Sequence, residues 1–166
     1  MQQQPIRIGL TGYSRTGKDE VGRILVSCGF ARVALGDMGK KELDDTVRQR
    51  FGFSAFTEVD AEKQQIRRIL EEWITARFEP LMSELIRILP RNAVNTKILR
   101  PEEAERWRAA GGIIWHVTRP GEGPKTPNEM IELERMWKAD LVDRVIENNG
   151  TLEQLEDKVV ELLSAL

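Results

Sequence analysis

One cysteine, one histidine and one tyrosine stand in 166 residues. Cys28 alone can form neither an intrachain disulfide nor a cysteine-built metal site. Its place before Gly29, at the end of the first helix, suits a small buried residue ahead of a C-cap. The lone histidine, His116, lies in an apolar stretch, where such a residue is more often structural than catalytic. Charge of one sign is lacking too: 25 basic against 27 acidic residues leave a formal net charge of −2 and a pI near 5.6. A nucleic-acid polymer therefore has no electrostatic footprint to bind. No apolar run approaches the ~20 residues that a bilayer crossing needs. The opening Met-Gln-Gln-Gln-Pro has neither the basic region nor the apolar stretch of a leader. No membrane partner and a reducing cytoplasm are expected. With 40% apolar and 31% charged residues, the chain is long enough for one globular domain with a real core.

What the sequence does have is Gly12-Tyr13-Ser14-Arg15-Thr16-Gly17-Lys18-Asp19. An alternating apolar stretch, residues 6–11, precedes it, and Val21, Ile24 and Leu25 follow at helical spacing. Strand, glycine-bounded loop and helix are the context in which G-x-x-x-x-G-K predicts phosphate binding. Gly12 and Gly17 let the backbone curl until several N–H groups face one anion. The helix adds its positive N-terminal end, and Lys18 reaches the outer phosphates. The plain alternative is a chance Gly-Lys loop. Asp19 stands where a Ser or Thr hydroxyl usually serves magnesium, and Glu20 follows it. A carboxylate is a hard oxygen ligand; Asp19 also favours a helix N-terminus whatever its partner.

Further along, residues 30–35 read as a second strand with Ala31, Val33 and Leu35 on one face. Gly36-Asp37-Met38-Gly39 then reads as a turn into a polar helix over residues 40–51. Strand–helix–strand order implies a parallel sheet with right-handed crossovers. Ligands bind beyond the carboxyl ends of such strands, so Asp37 and Lys40 are expected on the rim that carries Lys18. Residues 51–57, with three phenylalanines, suit equally a packing cluster or a wall for a planar base. The strongest helix spans residues 61–78, with Ile66, Ile69, Leu70, Trp73, Ile74 and Phe78 as its buried stripe. Lys63, Arg67, Arg68 and Arg77 border that stripe. By pattern alone they are a solvated face paired with Glu71 and Glu72; an anion site is the sharper reading.

Pro80 is expected to break or kink the path, before a short helix over 81–89. Residues 92–96 read as a brief strand, with Asn95 where P-loop enzymes often carry an acid and with Lys97 and Arg100 on the rim. A helix follows from Pro101, with acids in its first turn. Residues 113–118 are the clearest strand, apolar enough for a sheet covered on both faces. The Gly/Pro-rich stretch 119–128 is either a mobile cover with Arg119 and Lys125 supplying charge, or a surface connection. A helix over 127–139 is expected to turn Ile131, Leu133 or Glu134, and Trp137 inward or toward the site. A strand within 141–148 and a Thr151-capped helix to Leu163 close the chain.

Together these stretches resemble the phage and bacterial deoxynucleoside monophosphate kinases, of the P-loop NTPase superfamily, over most of the chain from Ile8 to Leu163. The family's loop reads G-x-x-x-S-G-K-D, which matches Gly12 to Asp19 with Thr16 for Ser. Its A-D-P-L-K keeps only Asp37 and Lys40. Its K-x-x-x-R-x-L-L-Q-x-W-G-T-x-x-R segment falls on Lys63, Arg67, Ile69, Leu70, Trp73 and Thr75, with Arg77 one position ahead of its last arginine. D-V-R is replaced by Asn95-Thr96-Lys97, and N-E-A fits Glu103-Ala104 only with a two-residue insertion. The ending D-x-V-I-x-N-x-G-T-L-E-x-L is kept from Asp143 to Leu155.

The resemblance implies a three-layer α-β-α P-loop fold with a mainly parallel sheet of about five strands. It implies one kinase domain over residues 1–166, with substrate-binding helices about 37–90 and a lid-like loop about 119–128. The implied reaction passes the terminal phosphoryl of ATP to a deoxynucleoside monophosphate, in a cytoplasm that would be the host's if the chain is phage-encoded. Gly12, Ser14, Arg15, Thr16, Gly17, Lys18, Asp19 and Glu20 would hold ATP, and Asp19 the Mg2+. Lys18, Arg67 and Arg119 would stabilise the transferring phosphoryl. Asp37, Lys40, Lys63, Arg67, Trp73, Arg77 and Lys97 would receive the acceptor. Some kinases of this family pair as dimers, so a homodimer is an implied assembly. The other readings are a kinase of another phosphorylated small molecule, of phosphomevalonate or dephospho-coenzyme A type, and a nucleotide-binding protein without catalysis.

Overall fold

The computed structural model describes residues 4–166, so the first three residues of the leader reading lie outside it. Two compact units form: Met1–Val33 with Leu89–Leu166, and Ala34–Ile88. The first holds a five-stranded sheet in the order β2-β3-β1-β4-β5, parallel throughout. Its strands are β1 (Arg7–Thr11), β2 (Ala31–Val33), β3 (Ala93–Asn95), β4 (Ile113–Thr118) and β5 (Arg144–Glu147). Its helices are α1 (Lys18–Ser27), α5 (Pro101–Ala109), α6 (Pro127–Lys138) and α7 (Leu152–Ser164), and the second unit supplies α2 (Leu35–Phe51), α3 (Asp60–Ala76) and α4 (Phe78–Arg87). The expected α/β class and five parallel strands are both present.

The topology follows from handedness. The chain leaves β1 toward one sheet edge, to β2, but later crosses from β3 over β1 to β4 and β5 toward the other. Right-handed crossovers in opposite directions put α1 on one face and α5 and α6 on the other. Accordingly α1 packs with α7, and α5 with α6. Between these layers Ile8, Leu10, Val21, Leu25, Val94, Trp115, Val117 and Val159 are buried. Because β1 lies where the crossovers diverge, the loop after it opens into the crevice that such a reversal creates.

Several local expectations are corrected. Cys28 is exposed and is itself the C-cap of α1, while Gly29 takes the left-handed position after it at φ 93°. Leu35 does not extend β2; it opens α2, which contains both Gly36 and Gly39. Pro80 does not break α3. The break falls at Arg77, and Pro80 sits in the first turn of α4, where its missing N–H costs nothing. In α3 only Ile66 is fully buried, and Ile69 and Trp73 are 41% and 36% exposed. In α6 the inward positions are Leu133 and Met136, whereas Ile131 and Trp137 are exposed.

The second unit has its own small core of Leu43, Val47, Ala55 and Ile66, with Phe53 and Leu70 against it. Asp44 closes its 51–57 loop by accepting from Ser54 Oγ at 2.6 Å and Ala55 N at 2.8 Å. Phe51 and Phe53 stack obliquely at 5.8 Å, while Phe56 is exposed with Lys40 Nζ over its ring at 5.7 Å. Among the described residues no helix is long and apolar enough to cross a membrane.

Candidate phosphate-binding site

The loop between β1 and α1 has the backbone its glycines foretell. Gly12 and Gly17 lie at φ 135° and 102°, and Arg15 between them is also left-handed at φ 66°. A Cβ on Gly12 would meet Val117 O at 2.3 Å, and one on Gly17 would meet Asn148 Nδ2 at 2.3 Å. Thr16, 1% exposed, braces the curl by donating from Oγ1 to Tyr13 O at 2.9 Å. Asn148 ties the far end of the sheet to it, donating from Nδ2 to Thr16 O at 3.0 Å. Asn148 in turn is fixed by its own N–H on Thr118 O at 2.8 Å.

Lys18 folds back over this curl. Its Nζ donates to Gly12 O at 2.8 Å and Tyr13 O at 2.5 Å. Burial lowers its pKa; Lys97 and Lys125 add to the fall, while Asp19 and Glu129 oppose it. Lys97 and Lys125 are each within electrostatic reach of Lys18, and with the N-terminus of a ten-residue helix beside it the Lys18 ammonium suits an anion of several charges.

Glu129, in the first turn of α6, is the carboxylate that ties the β1–α1 loop to the backbone ahead of that helix. It accepts from Ser14 Oγ at 2.5 Å and from Lys125 N at 2.8 Å. Burial would raise its pKa, but those bonds and the charge of Lys18 hold it below the ordinary value. Thr126 caps the helix by accepting from Glu129 N at 3.2 Å. Glu129 thus joins the P-loop to the end of the 119–128 stretch, whose Arg119 is exposed.

His116 lies below Gly12 at 7% exposure, with Trp137 edge-on at 5.3 Å. Burial, and then the charge of Lys18, push its pKa down to about 4, so the ring is neutral at ordinary pH. Asp19 is exposed at the start of α1, and Glu20 is bound to Arg23 at 2.5 Å. Beside Asp19 a groove of about 520 Å³ is lined by Gly22, Arg23, Val26, Arg32 and Thr96. No group of three or more metal-ligating side chains occurs among the described residues.

The remaining sequence-predicted residues belong to the helical unit. Asp37 and Lys40 stand 4.0 Å apart on α2. Glu42 gathers Trp73 and Arg77: it accepts from Trp73 Nε1 at 2.9 Å and from the Arg77 guanidinium at 3.3 Å. The bond from Arg77, then that from Trp73, lowers the Glu42 pKa. Lys63 is bound to Glu58 at 3.0 Å, Arg67 to Glu71 at 3.0 Å and Arg68 to Glu72 at 2.8 Å. The unit therefore brings Trp73 and Arg77 together on one carboxylate, and leaves Lys63 and Arg67 in separate exposed pairs. Sequence reasoning gave no role to Glu129 or Asn148. The only trace of Asn148 was its place in the closing motif.

No family model matches the chain, and no curated protein matches it in sequence. Solved structures do. The protein TT1252 of Thermus thermophilus is 20% identical over 99% of both chains, with a TM-score of 0.54. Shikimate kinase from Aquifex aeolicus is 19% identical over 96% of this chain and 97% of its own, with a TM-score of 0.53. Shikimate kinase from Acinetobacter baumannii, in complex with shikimate, is 17% identical over 98% and 94%, with a TM-score of 0.54. At such identities the likeness establishes the fold, that of the P-loop kinases.

Proposed function

We propose that the chain is a P-loop kinase that passes the terminal phosphoryl of ATP to a deoxynucleoside monophosphate. The observation that carries this reading is the left-handed loop at a helix N-terminus, with Lys18 folded over it and Lys97 and Lys125 each within electrostatic reach of Lys18. Phosphoryl transfer asks for positioning and charge stabilisation more than for covalent chemistry. Lys18 would leave the carbonyls of Gly12 and Tyr13 for the outer phosphates of ATP. The amides of Gly12 to Asp19 would hold the inner ones, and Ser14, Arg15 and Glu20 would shape the loop around them. Arg119 would neutralise the transferring group.

Arg67, Arg77, Lys63 and Lys40 would exchange their carboxylate partners for the acceptor phosphate, and Trp73 and Asp37 would border it. Arginine suits this through its two-pronged geometry. A protein general base is not strongly required, because the attacking phosphate oxygen is already ionised. Asp19, an exposed carboxylate beside the phosphate loop, is the residue that would hold Mg2+, with phosphate oxygens and water filling its shell. Bound there, the ion would offset phosphate charge.

A second reading, a kinase of another small molecule, is supported by the likeness of fold to the shikimate kinases. An acceptor panel in a coupled ADP-release assay separates the two. Saturable activity on a deoxynucleoside monophosphate is expected. Activity only on a non-nucleotide would overturn the first reading in favour of the second, and MgATP binding without transfer to any acceptor would point to a nucleotide-binding protein.

A further inference from the structure

The carboxyl end of β3 carries Asn95 where a carboxylate could serve a metal, and both ends of that amide are already engaged. Asn95 is fully buried; its Oδ1 accepts from Lys97 N and its Nδ2 donates to Glu103 Oε1, each at 3.1 Å. Glu103, 3% exposed in the first turn of α5, uses its other oxygen to accept from Leu99 N at 3.3 Å. Between those two points Ile98 N donates to Leu10 O of β1 at 2.9 Å. Three successive loop residues are thus pinned from the interior. The side chain of Lys97 is exposed at that turn, near enough to Lys18 to affect its titration.

A neutral amide engaged at both ends is a poor ligand for a hard cation. Turning it outward would strand a buried carboxylate. A lysine on a free loop must be ordered when it meets an anion, whereas one on a pinned turn has part of that ordering done in advance. We infer that Glu103 is a positioning residue: through Asn95 it sets the turn that carries Lys97, so this edge of the site offers a cation to polyphosphate and no ligand to a metal. This rests on the phosphate-binding reading of the P-loop.

The test is calorimetric titration of MgATP into the full chain, with thermal melting alongside. The variants are Lys97→Ala, Glu103→Gln, their double mutant and Asn95→Asp. Lys97→Ala, an exposed change, is expected to weaken MgATP about tenfold at an unchanged melting temperature. Glu103→Gln should weaken it to a similar extent, and the double mutant should be no weaker than either single, because one acts through the other. Independent, additive losses would overturn the inference. Asn95→Asp sets a second carboxylate against Glu103 and should weaken MgATP, with no gain in Mg2+ affinity. Tighter MgATP binding, or half-saturation at less Mg2+, would mean that β3 ends in a metal position lacking its acid, and would also overturn it. If Glu103→Gln does not fold, a Lys97→Ala variant that binds as tightly as the wild type refutes the inference by itself. No MgATP binding by folded wild-type protein would remove the P-loop reading, and this inference with it.

Discussion

The two units hold their charges in opposite ways. In the sheet unit, three charged groups that are half-buried or buried bond to partners off their own helical turn: Lys18 to the carbonyls of Gly12 and Tyr13, Glu103 to Asn95, and Glu129 to Ser14 across 115 residues. In the helical unit, charges stay on the surface and mostly pair within a turn or so: Arg67 with Glu71, Arg68 with Glu72, Arg87 with Glu84. Solvent screens the second kind, so each pair adds little to stability. The first kind costs desolvation and is kept in place by neighbours that must not move. One arrangement fixes a geometry; the other leaves side chains able to change partners.

The largest effect that tests this contrast is in packing. Trp107 is fully buried in α5, so Trp107→Ala should cost about 3–5 kcal/mol. Trp73, 36% exposed in α3, should cost about 1 kcal/mol in the same substitution. Urea denaturation measures both, and equal losses would dissolve the distinction between the units.

Next comes pH. Burial raises the Glu103 pKa from 4.5 to about 7, so the folded state binds the extra proton between those values. Stability should therefore fall as pH rises through that window, by on the order of 3 kcal/mol. Asp44 behaves in the reverse sense. Ser54 and then Arg48 hold its pKa down to about 2, and its contribution is lost only as pH falls from near 3.8 toward 2. Denaturation midpoints of wild type and Glu103→Gln at pH 5, 6 and 7 check the first statement. A slope unchanged by the substitution would assign it to other groups.

Gly17→Ala forces a side chain into a left-handed conformation and onto Asn148, at an expected cost of about 2 kcal/mol or more. A parallel loss of nucleotide affinity would show that the loop's shape and its binding are one property. Arg68→Ala should produce the smallest change of this set, and none measurable in 1 M salt. A larger, salt-resistant loss would mean that the helical unit also carries fixed charges.

The sequence disclosed what local chemistry enforces. The P-loop, β4 at residues 113–118 and the Thr151 cap all appear where pattern places them, the last as a reciprocal capping box with Gln154. Gly36 and Gly39 misled because glycine usually punctuates. In α2 a Cβ on Gly39 would lie 2.6 Å from Ile74 Cγ1 of α3, so the glycine permits close helix packing and is not a turn signal. Ile69 and Trp73 have helical spacing on a helix that buries only Ile66. Glu129 and Asn148 reach the loop across 115 and 132 residues, a separation that no periodicity records.

Calorimetry of MgATP with wild type and Lys18→Ala tests most directly whether Lys18 holds ATP. Wild type is expected to bind saturably, and folded Lys18→Ala to bind at least a hundredfold more weakly. Binding that survives within a few-fold would contradict the P-loop assignment.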